Sequence, residues 1–125
     1  MTERQKEGRA LIAAGALIAA LGVALGAFGA HGLGETLGPA ALGWWQTAVQ
    51  YQMWHALALV AVGFAPLRAR AAAWLFGAGI LLFSGSLYLM ALTGLRALGM
   101  VTPVGGLLLI LGWAALGLAA IRGRG

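Results

Sequence analysis

The residues of this chain that could do chemistry are few, and most of them lie within apolar sequence. They are His31, Tyr51, Gln52, His55, Ser84, Ser86, Tyr88 and Thr102, with Glu35 the nearest acid. Two histidines could ligate a haem iron axially, but His31 falls at the end of an apolar run beside flexible glycines, and a bis-histidine haem needs two facing imidazoles. A zinc site needs three or four ligands, more than two histidines and one glutamate supply. A serine hydrolase needs serine, histidine and an orienting acid. Ser84 and His55 are present, but Glu35 is a poor substitute for a buried acid. With no aspartate and only Glu3, Glu7 and Glu35, paired-carboxylate chemistry has no second partner. The absence of cysteine excludes disulfides, thiolate metal sites and thiol nucleophiles. No catalytic residue, metal ligand set or cofactor is assigned, and catalysis is disfavoured. The net charge of +5 raises the question of nucleic acid. The eight basic residues, however, are scattered between apolar runs and form no basic stripe, which argues against it.

The elements that hold these residues must be membrane helices. Of 125 residues 62% are hydrophobic, 21 more are glycine and only 9% are charged. So short a soluble monomer could not hide that much apolar surface. Charge-free apolar runs cover residues 10–30, 48–65, 71–93 and 100–121, each long enough to cross the hydrocarbon core as a helix. Pro66-Leu-Arg-Ala-Arg70 and Gly94-Leu-Arg-Ala-Leu-Gly99 are short links that leave room only for antiparallel hairpins. The expectation is a single all-α domain over 1–125, an integral membrane four-helix antiparallel bundle. The first run is longer than the apolar core of a cleaved signal and no clean cleavage site follows it, so it reads as a retained anchor. With a cytoplasmic N-terminus, Arg4, Lys6, Arg9, Arg68, Arg70, Arg122 and Arg124 lie inside and only Arg96 outside. This bias places both termini in the cytoplasm.

The connection from His31 to Thr47 is longer. Pro39 can open a helix at its first position, so the second span can extend from residue 39 into the outer interface. Trp44 and Trp45 on that extension read as interface anchors, with a ligand platform the sharper alternative, and Trp74 as the matching inner anchor. Small residues mark packing surfaces. In the first span Ala10, Ala14, Gly22, Gly26 and Ala30 recur at multiples of four, interrupted by Ile18, and Gly22-Val-Ala-Leu-Gly26 is a GxxxG. In the third, Gly77, Ser84 and Ala91 recur at seven. Gly105 and Gly106 give the fourth a similar contact. These faces serve packing within the bundle or contact with a second copy.

The intramembrane polar side chains gather in the outer half. At 100° per residue Tyr51, Gln52 and His55 share one face of the second span. Ser84 and Tyr88 share a face of the third, with Ser86 and Thr93 opposite. The hairpin then brings His55 to Ser84 or Tyr88, its expected partners. A buried imidazole or amide must find a hydrogen bond in hydrocarbon. The cluster is therefore either an interhelical network or the floor of an outward-facing ligand site.

Four segments carry a resemblance. They are Gly26-Ala-Phe-Gly-Ala-His-Gly32, Tyr51-Gln-Met-Trp-His-Ala-Leu-Ala-Leu59, Phe83-Ser-Gly-Ser-Leu-Tyr88 and Thr102-Pro-Val-Gly-Gly106. Together they resemble the domain of unknown function 423 family, whose eukaryotic relatives include transmembrane protein 256. The likeness extends over about residues 10–113. It implies a small multi-pass protein of the bacterial inner membrane and brings no activity, cofactor or catalytic residue. The family motifs fall on His31, Gln52, His55, Ser84, Ser86, Tyr88, Thr102 and Pro103. Three functional classes follow. The first is a structural or accessory protein that packs through glycine faces in lipid, as a homo-oligomer or in a larger membrane complex. The second is a small-molecule or lipid binder or transporter acting at the His55 cluster. The third, an enzyme acting on lipid or quinone, has the least support.

Overall fold

The computed structural model describes residues 1–123, and its regular elements are all helical. They are α1 (Glu3–His31), α2 (Pro39–Phe64), α3 (Arg70–Thr93) and α4 (Thr102–Arg122), with a short 3-10 helix at Arg96–Met100. Arg124, counted above among the inner charges, lies outside the described residues.

Local chemistry sets the helix ends. α1 begins well before the apolar run because Thr2 and Gln5 form a capping box. The Thr2 hydroxyl accepts from the Gln5 amide at 3.1 Å, and the Gln5 side chain accepts from the Thr2 amide at 2.8 Å. Pro39 opens α2, where its missing N–H costs nothing. Gly94 closes α3 in the left-handed conformation, φ 74°, which glycine adopts without Cβ strain.

Three segments are long and apolar enough to cross a membrane: Glu3–His31, Arg70–Thr93 and Arg96–Arg122. Helix α2 is outside that group. Its 26 residues suffice in length, but Gln46, Thr47, Gln50, Gln52 and His55 lower its apolar content. It compensates by burial, since α1 and α3 both pack against it. Residues Ala48, Gln52, His55, Ala56, Leu59 and Val62 are all withdrawn from the surface.

The helices pack in chain order, α1 on α2, α2 on α3 and α3 on α4, while α1 and α4 share no comparable interface. The assembly is thus more open than the closed ring a four-helix bundle suggests. Facing residues run antiparallel: Gly8 lies against Gly63 and Gly29 against Trp45, while Gly79 lies against Leu109 and Gly112 against Phe76. Phe76 is fully buried within the main core, with Leu59, Val62, Ile80 and Leu109.

The small-residue surface of α1 differs from the four-residue stripe expected. The buried glycines are Gly15, Gly22 and Gly29, and with Gly8 they form a repeat of seven. A Cβ on Gly15 would meet the Ala56 carbonyl oxygen at 2.7 Å, and one on Gly8 would meet that of Gly63 at 2.6 Å. Ala10, Ala14 and Ala30 are exposed instead. Of the GxxxG pair, Gly22 is buried against Met53 and Gln52, and Gly26 faces Val49 at its edge. A spacing of seven keeps one seam against a neighbour along the helix, whereas strict fours drift off it. On α3 the packing glycine is Gly79, against Leu109; Gly77 faces open space. On α4, Gly105 is buried directly on the Phe83 backbone, Gly106 touches the Phe83 ring, and Gly112 lies under Phe76.

Candidate functional site: a polar network between the helices

Gln52 is the centre of the polar cluster. Its phase on α2 points it between α1 and α3, and it is 3% exposed. The side-chain NH₂ donates to the Ile18 carbonyl on α1 at 2.9 Å, and the amide oxygen accepts from the Tyr88 hydroxyl on α3 at 2.6 Å. One side chain therefore joins three helices. Ser84, fully buried, donates to the Ala48 carbonyl of α2 at 2.7 Å. Ser86 donates to the Phe83 carbonyl within α3, and its oxygen lies 2.6 Å from the Thr102 hydroxyl at the start of α4.

His55 is buried, as its phase suggests, but neither Ser84 nor Tyr88 is its partner. One ring nitrogen, Nδ1, lies 2.8 Å from the Tyr51 carbonyl, and the other, Nε2, accepts from the Trp113 indole N–H of α4 at 2.9 Å. Ser84 and Tyr88 are engaged by Ala48 and Gln52 instead. The geometry fixes the tautomer. A carbonyl can only accept, so Nδ1 carries the proton, and an indole N–H can only donate, so Nε2 presents its lone pair. The imidazole is neutral in this arrangement. Trp113 was missed because it lies in an otherwise aliphatic run. The usable signal was that an indole N–H in hydrocarbon also needs an acceptor.

Two further residues lie elsewhere than expected. His31 is exposed at the end of α1, apart from the network. Trp45 is only 3% exposed and no interface anchor; its indole donates to the Leu25 carbonyl of α1 at 2.8 Å, and its ring packs edge-on to Tyr88. A missing Cβ at Gly29 makes room for that ring. Trp44 remains partly exposed, with the Arg96 guanidinium 5.3 Å from its ring centroid. Trp74 stands 75% exposed in the second turn of α3. Tyr51 contributes its carbonyl and its ring, which packs on Phe83.

Among the described residues no buried side-chain nitrogen or oxygen lacks a partner, and no three histidine, aspartate or glutamate side chains gather as a metal set would. The network can hold helices in register. Each buried side-chain nitrogen and oxygen in it has at least one protein partner.

Residues 25–106 match the family model described as "Protein of unknown function (DUF423)". A UPF0382 membrane protein of Staphylococcus epidermidis is 43% identical over 94% of this chain and 99% of its own length. The UPF0382 membrane protein YwdK of Bacillus subtilis is 43% identical over 91% of this chain and 98% of its own. The UPF0382 inner membrane protein YgdD of Escherichia coli is 46% identical over 80% of each. No solved structure matches.

Proposed function

The chain belongs to the DUF423 family, whose relatives are named as membrane proteins, and from that premise we propose a structural or accessory protein of the bacterial cytoplasmic membrane. It crosses the bilayer four times with both termini inside, surrounded by lipid, and works by packing against a second copy or a larger membrane complex. The observation that carries this reading is that, among the described residues, every buried side-chain nitrogen and oxygen has a partner within the protein. Gln52, Ser84, Ser86, Tyr88 and Thr102 are engaged in bonds that join helices, and both nitrogens of His55 are occupied. Ligand binding at His55, the other reading, would have to break those bonds first. The glycine seams named above are used inside the chain, so contact with a partner falls to the apolar outer faces, such as Leu107, Ile110 and Leu118 of α4.

Purification in mild detergent at native expression, followed by native mass spectrometry, tests this. A defined homo-oligomer or a stoichiometric protein partner is expected. A monomer carrying a defined small molecule lost in His55→Gln would overturn it in favour of the ligand site.

A further inference from the structure

We propose that the groove between α1 and α3, at the arginine-rich end of the molecule, seats one anionic phospholipid. The groove encloses about 930 Å³. Leu11 and Ile18 form the α1 wall, Leu59 and Val62 the floor on α2, and Trp74 and Gly77 the α3 wall. It exists because the extensive interface of α1 is with α2, which leaves a cleft along α3. From Gly8 to Ile18 the α1 wall rises about 15 Å at 1.5 Å per residue, close to the depth of one leaflet's hydrocarbon. An acyl chain fits that length and chemistry.

The mouth gives the preference for charge. Glu3, Arg4, Glu7, Arg68 and Arg70 line it. Glu3 pairs with Lys6 and Glu7 with Arg70, across α1 and α3. Both acids are thus neutralised, while Arg4 and Arg68 make no ion pair among the described residues. Two exposed guanidiniums above an apolar slot suit a phosphodiester, which their fork geometry grips through two oxygens. Trp74 beside them sits where an indole prefers the interface of a bilayer. The inference requires that α1 and α3 lie in the bilayer. It does not depend on the accessory role, on which end is cytoplasmic, or on His55.

The test titrates the purified full chain with phosphatidylglycerol and, separately, phosphatidylcholine of the same acyl chains, reading retained lipid by native mass spectrometry. One phosphatidylglycerol is expected to be held in preference. The double variant Arg4→Gln/Arg68→Gln should lower that preference about thirtyfold, at about fivefold per arginine near an anionic surface, with helicity unchanged. Gly77→Leu places a side chain where the glycine faces open space, so it should fold normally and weaken retention of both lipids. Equal retention of the two lipids by the parent chain would overturn the proposal. So would retention of phosphatidylglycerol undiminished in the variants, or cross-links from position 77 to a second copy in place of lipid.

Discussion

At the scale of single residues, the network is a set of donors and acceptors matched across helices, and its least expected member is the His55–Trp113 pair. In lipid such bonds contribute about 0.6 kcal/mol on average, because an unfolded segment in the membrane also finds partners. His55→Leu removes the acceptor for Trp113 and the bond to Tyr51, and should destabilise the protein by about 1–2 kcal/mol. Trp113→Phe keeps the ring against Phe76 and loses only the donor. A double-mutant cycle of these two changes, measured by unfolding in bicelles, should give a coupling of about 0.6 kcal/mol. Additive effects would mean that the bond contributes nothing. The tautomer carries its own expectation: nitrogen NMR of the imidazole should place the proton on Nδ1, and Trp113→Phe should leave it there, because the Tyr51 carbonyl still accepts, while shifting the Nε2 resonance. Partial legibility has a simple cause here. Helical phase pointed Gln52 and His55 inward, but phase on one helix does not say which residue of another stands opposite. Trp44 and Trp45 illustrate the same limit. Neighbours in sequence lie 100° apart, so a pair assigned together to the interface had one member turned into the protein.

At the scale of elements, the glycine seam of α1 decides how closely it approaches α2. The sequence contains two small-residue patterns at once, a four-residue stripe through Ala10, Ala14, Gly22, Gly26 and Ala30 and a seven-residue repeat through Gly8, Gly15, Gly22 and Gly29. The second faces α2 at every position, whereas in the first only Gly22 and Gly26 meet α2 and the three alanines are exposed. Alanine tolerates a close neighbour but does not require one, whereas these glycines leave room for backbone at Gly8 and Gly15 and for the Trp45 ring at Gly29. The two substitutions Gly15→Leu and Ala30→Leu separate the patterns. Gly15→Leu would drive a side chain into the Ala56 carbonyl and Val60, and should cost about 3 kcal/mol or prevent assembly of the α1–α2 pair. Ala30→Leu projects from an exposed position and should leave the melting temperature almost unchanged. Equal damage from both, measured as loss of folded protein on heating, would restore the four-residue stripe as a packing surface.

At the scale of the whole molecule, the arrangement gathers the charges as well as the apolar faces. Residues 10–30, 71–93 and 100–121 were legible as segments long and apolar enough to cross a membrane because lipid imposes one composition along the whole length of a span. The open packing was not legible, since short links fix which helices are neighbours but not whether the first and last meet. The structure adds a physical basis for orientation. α1 begins, α2 ends and α3 begins at one end, where Glu7 pairs with Arg70 and Gly8 meets Gly63, and α4 returns there antiparallel to α3. Among the described residues, that end collects Arg4, Lys6, Arg9, Arg68, Arg70 and Arg122, against Arg96 alone at the other. Cationic segments are retained on the cytoplasmic side during insertion, and short loops such as that around Arg68 and Arg70 count most. A reporter active only in the cytoplasm, fused after Gly125, should therefore work, and one active only in the periplasm should not. A reporter inserted at Gly34, in the connection between α1 and α2, should give the reverse result. If both fusions report the same side, an even number of the helices α2, α3 and α4 cross the bilayer, and the four-span arrangement fails. If the two results are exchanged, the protein is inverted and its arginine-rich groove opens to the periplasmic leaflet.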